Sequence, residues 1–446
     1  MINKQKLDSI KNAPNGFCLA KWYQVTIDLS RGYTHSCHHP MRHKIPVEEI
    51  IKDPSALHNT HFKMLQRKLM LDGIRPPECD YCWKIEDTAG DHLSDRFIKS
   101  TDNWAYDLLD ETLKSPWDKK ISPTYVEVIF SSDCNLNCAY CMADVSSSIE
   151  SEMQKFGPYP VTSNQHRMPR EKAIKENNPY VTAFWLWFPE MVKTLRVFRI
   201  TGGEPLLSKE TFKVLDYLID HPAPNLSLAI NTNLSYSSTQ LQKLISQVKV
   251  LFAHKAIKAF SIYTSLDGFD DQASYIRKGL DLNKFKANIS LITDSLPESE
   301  IILMCTYNIL SITSFKDLLD WIVEQKNAGK RITLDISYLK EPEYLRANLA
   351  DDSLKSKMND DLEYMKTLKQ FSQYEINKYD RIVSWVNTKT ADPFKFVYQA
   401  DFYTFINEFD KRFKSNFSAL FPGHKKFYRS CMKSYLWKKI YSLGNK

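Results

Sequence analysis

The chain has 446 residues, of which 43% are hydrophobic and 25% charged. That is an ordinary globular balance, which excludes wholesale disorder, and the length calls for two or three cores rather than one. The 60 basic and 53 acidic residues leave a formal net charge of +7. With no dense Lys/Arg stripe, this small excess argues against a nucleic-acid partner and suits an anionic cofactor or an acidic peptide.

The chain opens on Met-Ile-Asn-Lys-Gln-Lys, which has no signal-peptide core, and its longest aromatic-apolar run, Ala183 to Pro189, is too short to span a bilayer. No membrane association and a cytoplasmic location are expected. In a reducing compartment nine cysteines need a purpose, and clustered thiols there bind metal or do chemistry more often than they form disulfides. Seven of the nine are patterned, and Cys305 and Cys431 stand alone.

Residues 1–123 carry the first four: Cys18, then Gly32 and Cys37, then the pair Cys79 and Cys82. Four thiols could close a metal centre. Their spacing leaves open an iron–sulfur cluster, a zinc, or a site in which His35, His38 or His39 replaces one thiolate.

From residue 124 onward six strand patterns alternate, mostly with helical ones. The strands are expected at Tyr125–Ser131, Arg196–Thr201, Leu226–Thr232, Phe260–Asp267, Ile301–Asn308 and Ile332–Tyr338, with helices such as Lys209–Asp220, Thr239–Val248 and Ser314–Gln325. Such alternation is the signature of parallel βαβ units, and six are fewer than the eight of a closed barrel. An α/β fold follows: a partial, open (β/α)6 TIM-like barrel over 124–340, preceded by the N-terminal cysteine-rich module of 1–123. Residues 341–446, rich in Lys, Tyr and Phe, form a mostly helical C-terminal extension packing on the barrel.

Within the strands, apolar residues alternate with polar ones such as Glu127, Arg199, Asn231, Ser265 and Asp335. Parallel strands dry on both faces would read as continuous hydrophobic runs. The alternation implies one face for helices and one for a polar lumen that holds ligand. Within it Glu127 and Arg199 are expected to pair, Asp335 is a candidate for orienting substrate or moving a proton, and Cys305 reads as a small buried hydrophobe.

The loop after the first strand reads Asp133-Cys134-Asn135-Leu136-Asn137-Cys138-Ala139-Tyr140-Cys141. Loops after barrel strands lie at the C-terminal face, where such folds place their chemistry. Three thiolates there can hold three corners of a cubane, leaving one iron open, or with a further ligand a zinc. Thr201-Gly202-Gly203-Glu204-Pro205 closes the second strand, and its paired glycines allow close backbone approach to a ligand.

At these residues the chain resembles the radical SAM superfamily, whose signature is C-x-x-x-C-x-aromatic-C. The resemblance implies an enzyme. A 4Fe–4S cluster on Cys134, Cys138 and Cys141 chelates S-adenosylmethionine and cleaves it reductively to a 5′-deoxyadenosyl radical, which abstracts hydrogen from a substrate. It implies Tyr140 beside the adenine and Gly202, Gly203 and Glu204 at the methionyl amine. It further implies Asn231, Ser265 and Asp267 near the ribose, and Arg277 at the carboxylate. An electron donor such as flavodoxin or ferredoxin is implied as partner.

The N-terminal pattern resembles the SPASM and twitch modules, with Phe17, Trp22, Glu86, Gly90, Ser94 and Arg96 in agreement. Here it precedes the barrel rather than following it, and Lys21 and His38 depart from the pattern. That resemblance implies an auxiliary 4Fe–4S cluster on Cys18, Cys37, Cys79 and Cys82, and a peptide or protein side chain as substrate. Tailoring of a small molecule (a sugar, nucleotide or amino acid) is the alternative, and a non-catalytic iron–sulfur binding protein a third reading. The long stretch between Cys141 and Gly202, including the basic run Arg167 to Lys175, reads as a lid, a substrate loop or a surface insertion.

Overall fold

The computed structural model describes residues 3–88, 93–162, 171–235, 238–388 and 392–444. Gly90 and Arg167–Arg170 therefore lie outside the described residues. The chain divides into two compact units, one of residues 1–132, 172–231 and 247–260, the other of residues 133–171, 232–246 and 261–446.

The first unit is built on parallel strands. Tyr125–Ile129 pairs with Val197–Thr201, which pairs with Ala223–Thr232. On its other side Tyr125–Ile129 takes a parallel partner that sequence reading did not anticipate, Gln24–Asp28, with Val25 opposite Val126 and Ile27 opposite Val128. The N-terminal region thus contributes to the sheet, and Tyr33–His35 and His43–Lys44 extend it in antiparallel fashion. Gly32 lies between the first two of these strands at φ +71°, and a Cβ there would stand 2.1 Å from the Tyr180 ring. Only glycine fits that position.

The aromatic run Ala183 to Pro189 lies in the helix Pro179–Met191. Asn178 caps it, its Oδ1 accepting the N–H of Tyr180 at 2.9 Å, and Pro179 occupies the first turn, where its missing N–H costs nothing. Phe184 and Phe188 are fully buried, with ring centroids 5.1 Å apart, and Phe188 meets Phe198 of the neighbouring strand at 5.6 Å. Such pairs contribute about 0.5–1.5 kcal/mol each beyond their area burial.

In the second unit the strand ending at Ser265 pairs in parallel with Glu300–Tyr307, which pairs with Ile332–Tyr338. The helices Leu282–Ser295 and Phe315–Asn327 lie between these strands in sequence. The C-terminal region folds into the helices Asp352–Thr367, Gln373–Asn387, Lys395–Phe413 and Lys425–Gly444. One of them reaches the last strand directly: Glu375 Oε1 accepts the main-chain N–H of Leu334 at 2.8 Å. That contact satisfies a donor that an edge strand would leave unpaired.

All six expected strands are present, with ends shifted by a few residues. The architecture is mixed α/β with parallel strands and a helical C-terminal extension, that of a partial TIM-like barrel. No helix among the described residues is long and apolar enough to cross a membrane.

Candidate active site

The cysteine loop leaves the strand Tyr125–Ile129 and is fixed by short local contacts. The Cys134 N–H donates to Ser147 Oγ at 3.1 Å, and its carbonyl accepts Ser148 Oγ at 2.6 Å. Both serines open the helix Ser147–Phe156, which Ser146 caps through the Ile149 N–H. Cys141 closes a turn on Cys138, N–H to carbonyl at 3.0 Å. Asn137 and Cys138 pair antiparallel with Lys278 and Arg277, and the Ala139 N–H donates to the Ile276 carbonyl at 2.8 Å. Gly279 follows at φ +103°, where a Cβ would lie 3.1 Å from Leu136 and 3.3 Å from the Asn135 carbonyl.

Cys138 is buried and Cys134 and Cys141 are half-buried. Burial pushes the Cys138 thiol up to about 12, against the pull of the Arg277 cation. A thiol in this condition stays protonated near neutrality unless a metal centre supplies positive charge. Three thiols on one loop are the donor set that an open cubane takes.

Tyr140 and Asp267 are in contact: the Tyr140 hydroxyl donates to Asp267 Oδ2 at 2.8 Å, and Arg277 Nε donates to the same oxygen at 2.8 Å. The structure therefore brings Tyr140, Asp267 and Arg277 together with Cys138. Ser265 ends its strand opposite Met304. Asn233 Nδ2 donates to Asn135 Oδ1 at 2.8 Å, joining the segment after the third strand to the cysteine loop.

In the other unit, Gly202 has φ +132°, and a Cβ there would lie 2.7 Å from the Ser131 carbonyl. The Gly203 N–H donates to that carbonyl at 3.2 Å. Glu204 is buried, and its Oε1 accepts the Leu206 N–H at 3.0 Å, capping the short helix Pro205–Leu207. Asn231 accepts from Arg199 Nε at 2.7 Å. Glu127 and Arg199 face one another across neighbouring strands, 3.8 Å apart, so this expected pair is formed. Asp335 forms an ion pair with Lys378 at 2.7 Å, and Cys305 is 1% exposed, a core residue as expected.

The four N-terminal cysteines share one place. Cys18, Cys37, Cys79 and Cys82 line a single cavity together with Lys21 and His39. Burial raises the Cys37, Cys79 and Cys82 thiols, the last two to about 12. The neighbouring histidines have other partners: His39 Nε2 lies 2.7 Å from Asp95 Oδ2 and stacks on Tyr81, His38 lies 3.7 Å from Glu127, and His35 contacts the Cys37 carbonyl. Glu86, Ser94 and Arg96 form one network behind the Cys79–Cys82 pair. Four thiols facing one cavity suit a closed metal centre. Among the described residues, no group of three or more His, Cys, Asp and Glu side chains is gathered as the ligands of a single metal ion are.

Part of the chain that carries this arrangement is similar to a known family. Residues 128–322 match the family described as Radical SAM superfamily. Comparison with curated proteins gives no match. Among solved structures, the chain is similar to anSMEcpe with bound AdoMet, at 20% identity and TM-score 0.33, over 54% of this chain and 59% of that one. It thus spans less than two thirds of that protein's length. Similarity extends to Streptococcus suis SuiB bound to S-adenosylmethionine, at 12% identity and TM-score 0.38, over 79% of this chain and 71% of that one. For SuiB bound to the precursor peptide SuiA the values are 12% identity and TM-score 0.36, over 82% and 75%. The radical SAM match thus covers one stretch of this chain, from the strand Tyr125–Ile129 into the helix Phe315–Asn327.

Proposed function

We propose that Cys134, Cys138 and Cys141 hold a 4Fe–4S cluster with one open iron, and that the protein uses it to turn S-adenosylmethionine into a hydrogen-abstracting radical. The observation that carries the reading is the cysteine loop itself. Three thiols are held on one short segment after the first barrel strand, pinned by Ser147, Ser148 and the Ile276–Lys278 segment. With cluster and S-adenosylmethionine bound, the chemistry supplied is one-electron cleavage of the S–C5′ bond, giving methionine and a 5′-deoxyadenosyl radical.

The chain's own residues bind and orient. Gly202 and Gly203 bring main chain close to a ligand without side-chain bulk, and with Glu204 they take the methionyl amine. Asn231 and Ser265, at the ends of two strands, take the ribose, and Tyr140 lies along the adenine. Residues 1–123 form an auxiliary module in which Cys18, Cys37, Cys79 and Cys82 hold a second 4Fe–4S cluster with no open site, suited to electron transfer or substrate positioning. The reading is supported by the convergence of these four thiols on one cavity. The substrate is a peptide or protein side chain, and a flavodoxin or ferredoxin supplies the electron.

The test is anaerobic reconstitution followed by dithionite and S-adenosylmethionine. The expected product is 5′-deoxyadenosine, and well-loaded protein that forms none would contradict the assignment.

A further inference from the structure

The resemblance to radical SAM enzymes gives Arg277 to the carboxylate of S-adenosylmethionine, yet the structure supplies this guanidinium with partners of its own. Nε donates to Asp267 Oδ2 at 2.8 Å, Nη2 donates to Tyr140 Oη at 2.6 Å, and Nη1 points at Cys138 Sγ from 3.8 Å. The second oxygen of Asp267 accepts the main-chain N–H of Thr306 at 2.7 Å, which ties the carboxylate to the strand Glu300–Tyr307. Arg277 is 7% exposed and Asp267 fully buried. Main chain repeats the link, since Arg277 and Cys138 are directly opposite in a two-residue antiparallel ladder.

An arginine fork whose three nitrogens are each aimed at a different group is held in one orientation, with a second N–H left on each Nη. In that orientation it acts on the sulfur. The reduction potential of an iron–sulfur cluster is set by its net charge, by hydrogen bonds to its sulfurs and by its exposure to solvent. Reduction adds one negative charge, and a buried cation donating N–H to a ligand sulfur stabilises that charge more than it stabilises the oxidised state. Asp267 orients the fork and partly opposes its field.

We propose that Arg277 is a positioning residue of the cluster centre. Aimed by Asp267 and Tyr140, it holds the Cys138 sulfur and raises the reduction potential of the cluster on Cys134, Cys138 and Cys141. The inference rests on the cluster assignment above and gives Arg277 a task in addition to binding the carboxylate of S-adenosylmethionine.

The experiment is a redox titration of the full chain, reconstituted anaerobically and followed by electron paramagnetic resonance without S-adenosylmethionine. The signal of the loop cluster is identified as the one missing in Cys134→Ala. Arg277→Met is expected to lower the ratio of reduced to oxidised cluster at fixed potential at least tenfold, a downward shift of about 59 mV for one electron. Arg277→Lys keeps a cation but not the fork aimed at Cys138 Sγ, so its shift is downward and smaller, and it carries the test alone if Arg277→Met does not retain iron. Binding of S-adenosylmethionine is measured in parallel. Unchanged potentials combined with a tenfold or greater loss of S-adenosylmethionine affinity would overturn the inference and leave the cluster assignment standing. Wild-type protein without a loop-cluster signal would overturn both.

Discussion

Arg96 grips Glu86 with two parallel bonds, Nε to Oε1 at 2.7 Å and Nη2 to Oε2 at 2.9 Å, while its Nη1 donates to the Phe17 carbonyl at 3.0 Å. One side chain thereby links the helix that carries Cys82 to the residue before Cys18. Arg96 is 8% exposed, and its guanidinium also lies over the Phe97 ring at 3.8 Å. Residues 79 apart in sequence are in this way held around the four-cysteine cavity.

Arg96→Lys keeps the charge but loses the fork, so it cannot span both Glu86 oxygens and the Phe17 carbonyl. We expect the variant to fold and to lose iron from the N-terminal site several times faster than wild type when challenged with a chelator. Loss rates equal to wild type would show that the fork does not brace the site.

Cys82→Ser tests the metal content of that site. Two 4Fe–4S clusters amount to about eight irons per chain, and the variant should hold about four. Wild-type protein with four irons and one zinc would contradict the second-cluster assignment.

Glu375 gives a pH signature unconnected with the clusters. Burial pushes its carboxyl up, but the N–H of Leu334, the Lys326 ammonium and Ser372 pull it further the other way, leaving it below its ordinary value of 4.5. A lowered carboxyl stabilises the fold fully above its unfolded value, and that contribution is lost as pH falls through the folded one. Glu375→Gln should be less stable at pH 7 by about 1–3 kcal/mol, the loss expected when a buried charged acceptor is weakened. The gap to wild type should close as pH drops below about 4.5. Chemical unfolding at several pH values checks both, and a gap independent of pH would contradict the assignment.

Gly202→Ala places a Cβ 2.7 Å from the Ser131 carbonyl on a backbone at φ +132°. Backbone forced into such a region costs about 1–3 kcal/mol before the clash is counted. Thermal unfolding of the apo protein should show a lower midpoint, and an unchanged midpoint would mean that this turn differs from the one described.

Much of this was legible in the sequence because its signals are local. The six barrel strands carry their own alternation, and the helix Lys209–Asp220 was bounded correctly from its apolar spacing alone. Cys18, Cys37, Cys79 and Cys82, grouped by resemblance to the SPASM and twitch pattern, line one cavity. The strand Gln24–Asp28 was not legible, since its five residues acquire meaning only from a partner about 100 positions later. The pairing of Cys138 with Arg277 is only two residues long, too short for any periodicity, and it spans 139 positions. The partners of Arg277 were hidden for the same reason. A motif suggests a ligand for an arginine, but only the fold shows that Asp267 and Tyr140 hold it.

The measurement closest to the central claim compares wild-type protein with Cys134→Ala, both reconstituted anaerobically and given dithionite and S-adenosylmethionine. Wild type should form 5′-deoxyadenosine and methionine in equal amounts, and the variant, while keeping its N-terminal iron, should form neither. Equal 5′-deoxyadenosine from both proteins would contradict the assignment of the cluster to Cys134, Cys138 and Cys141.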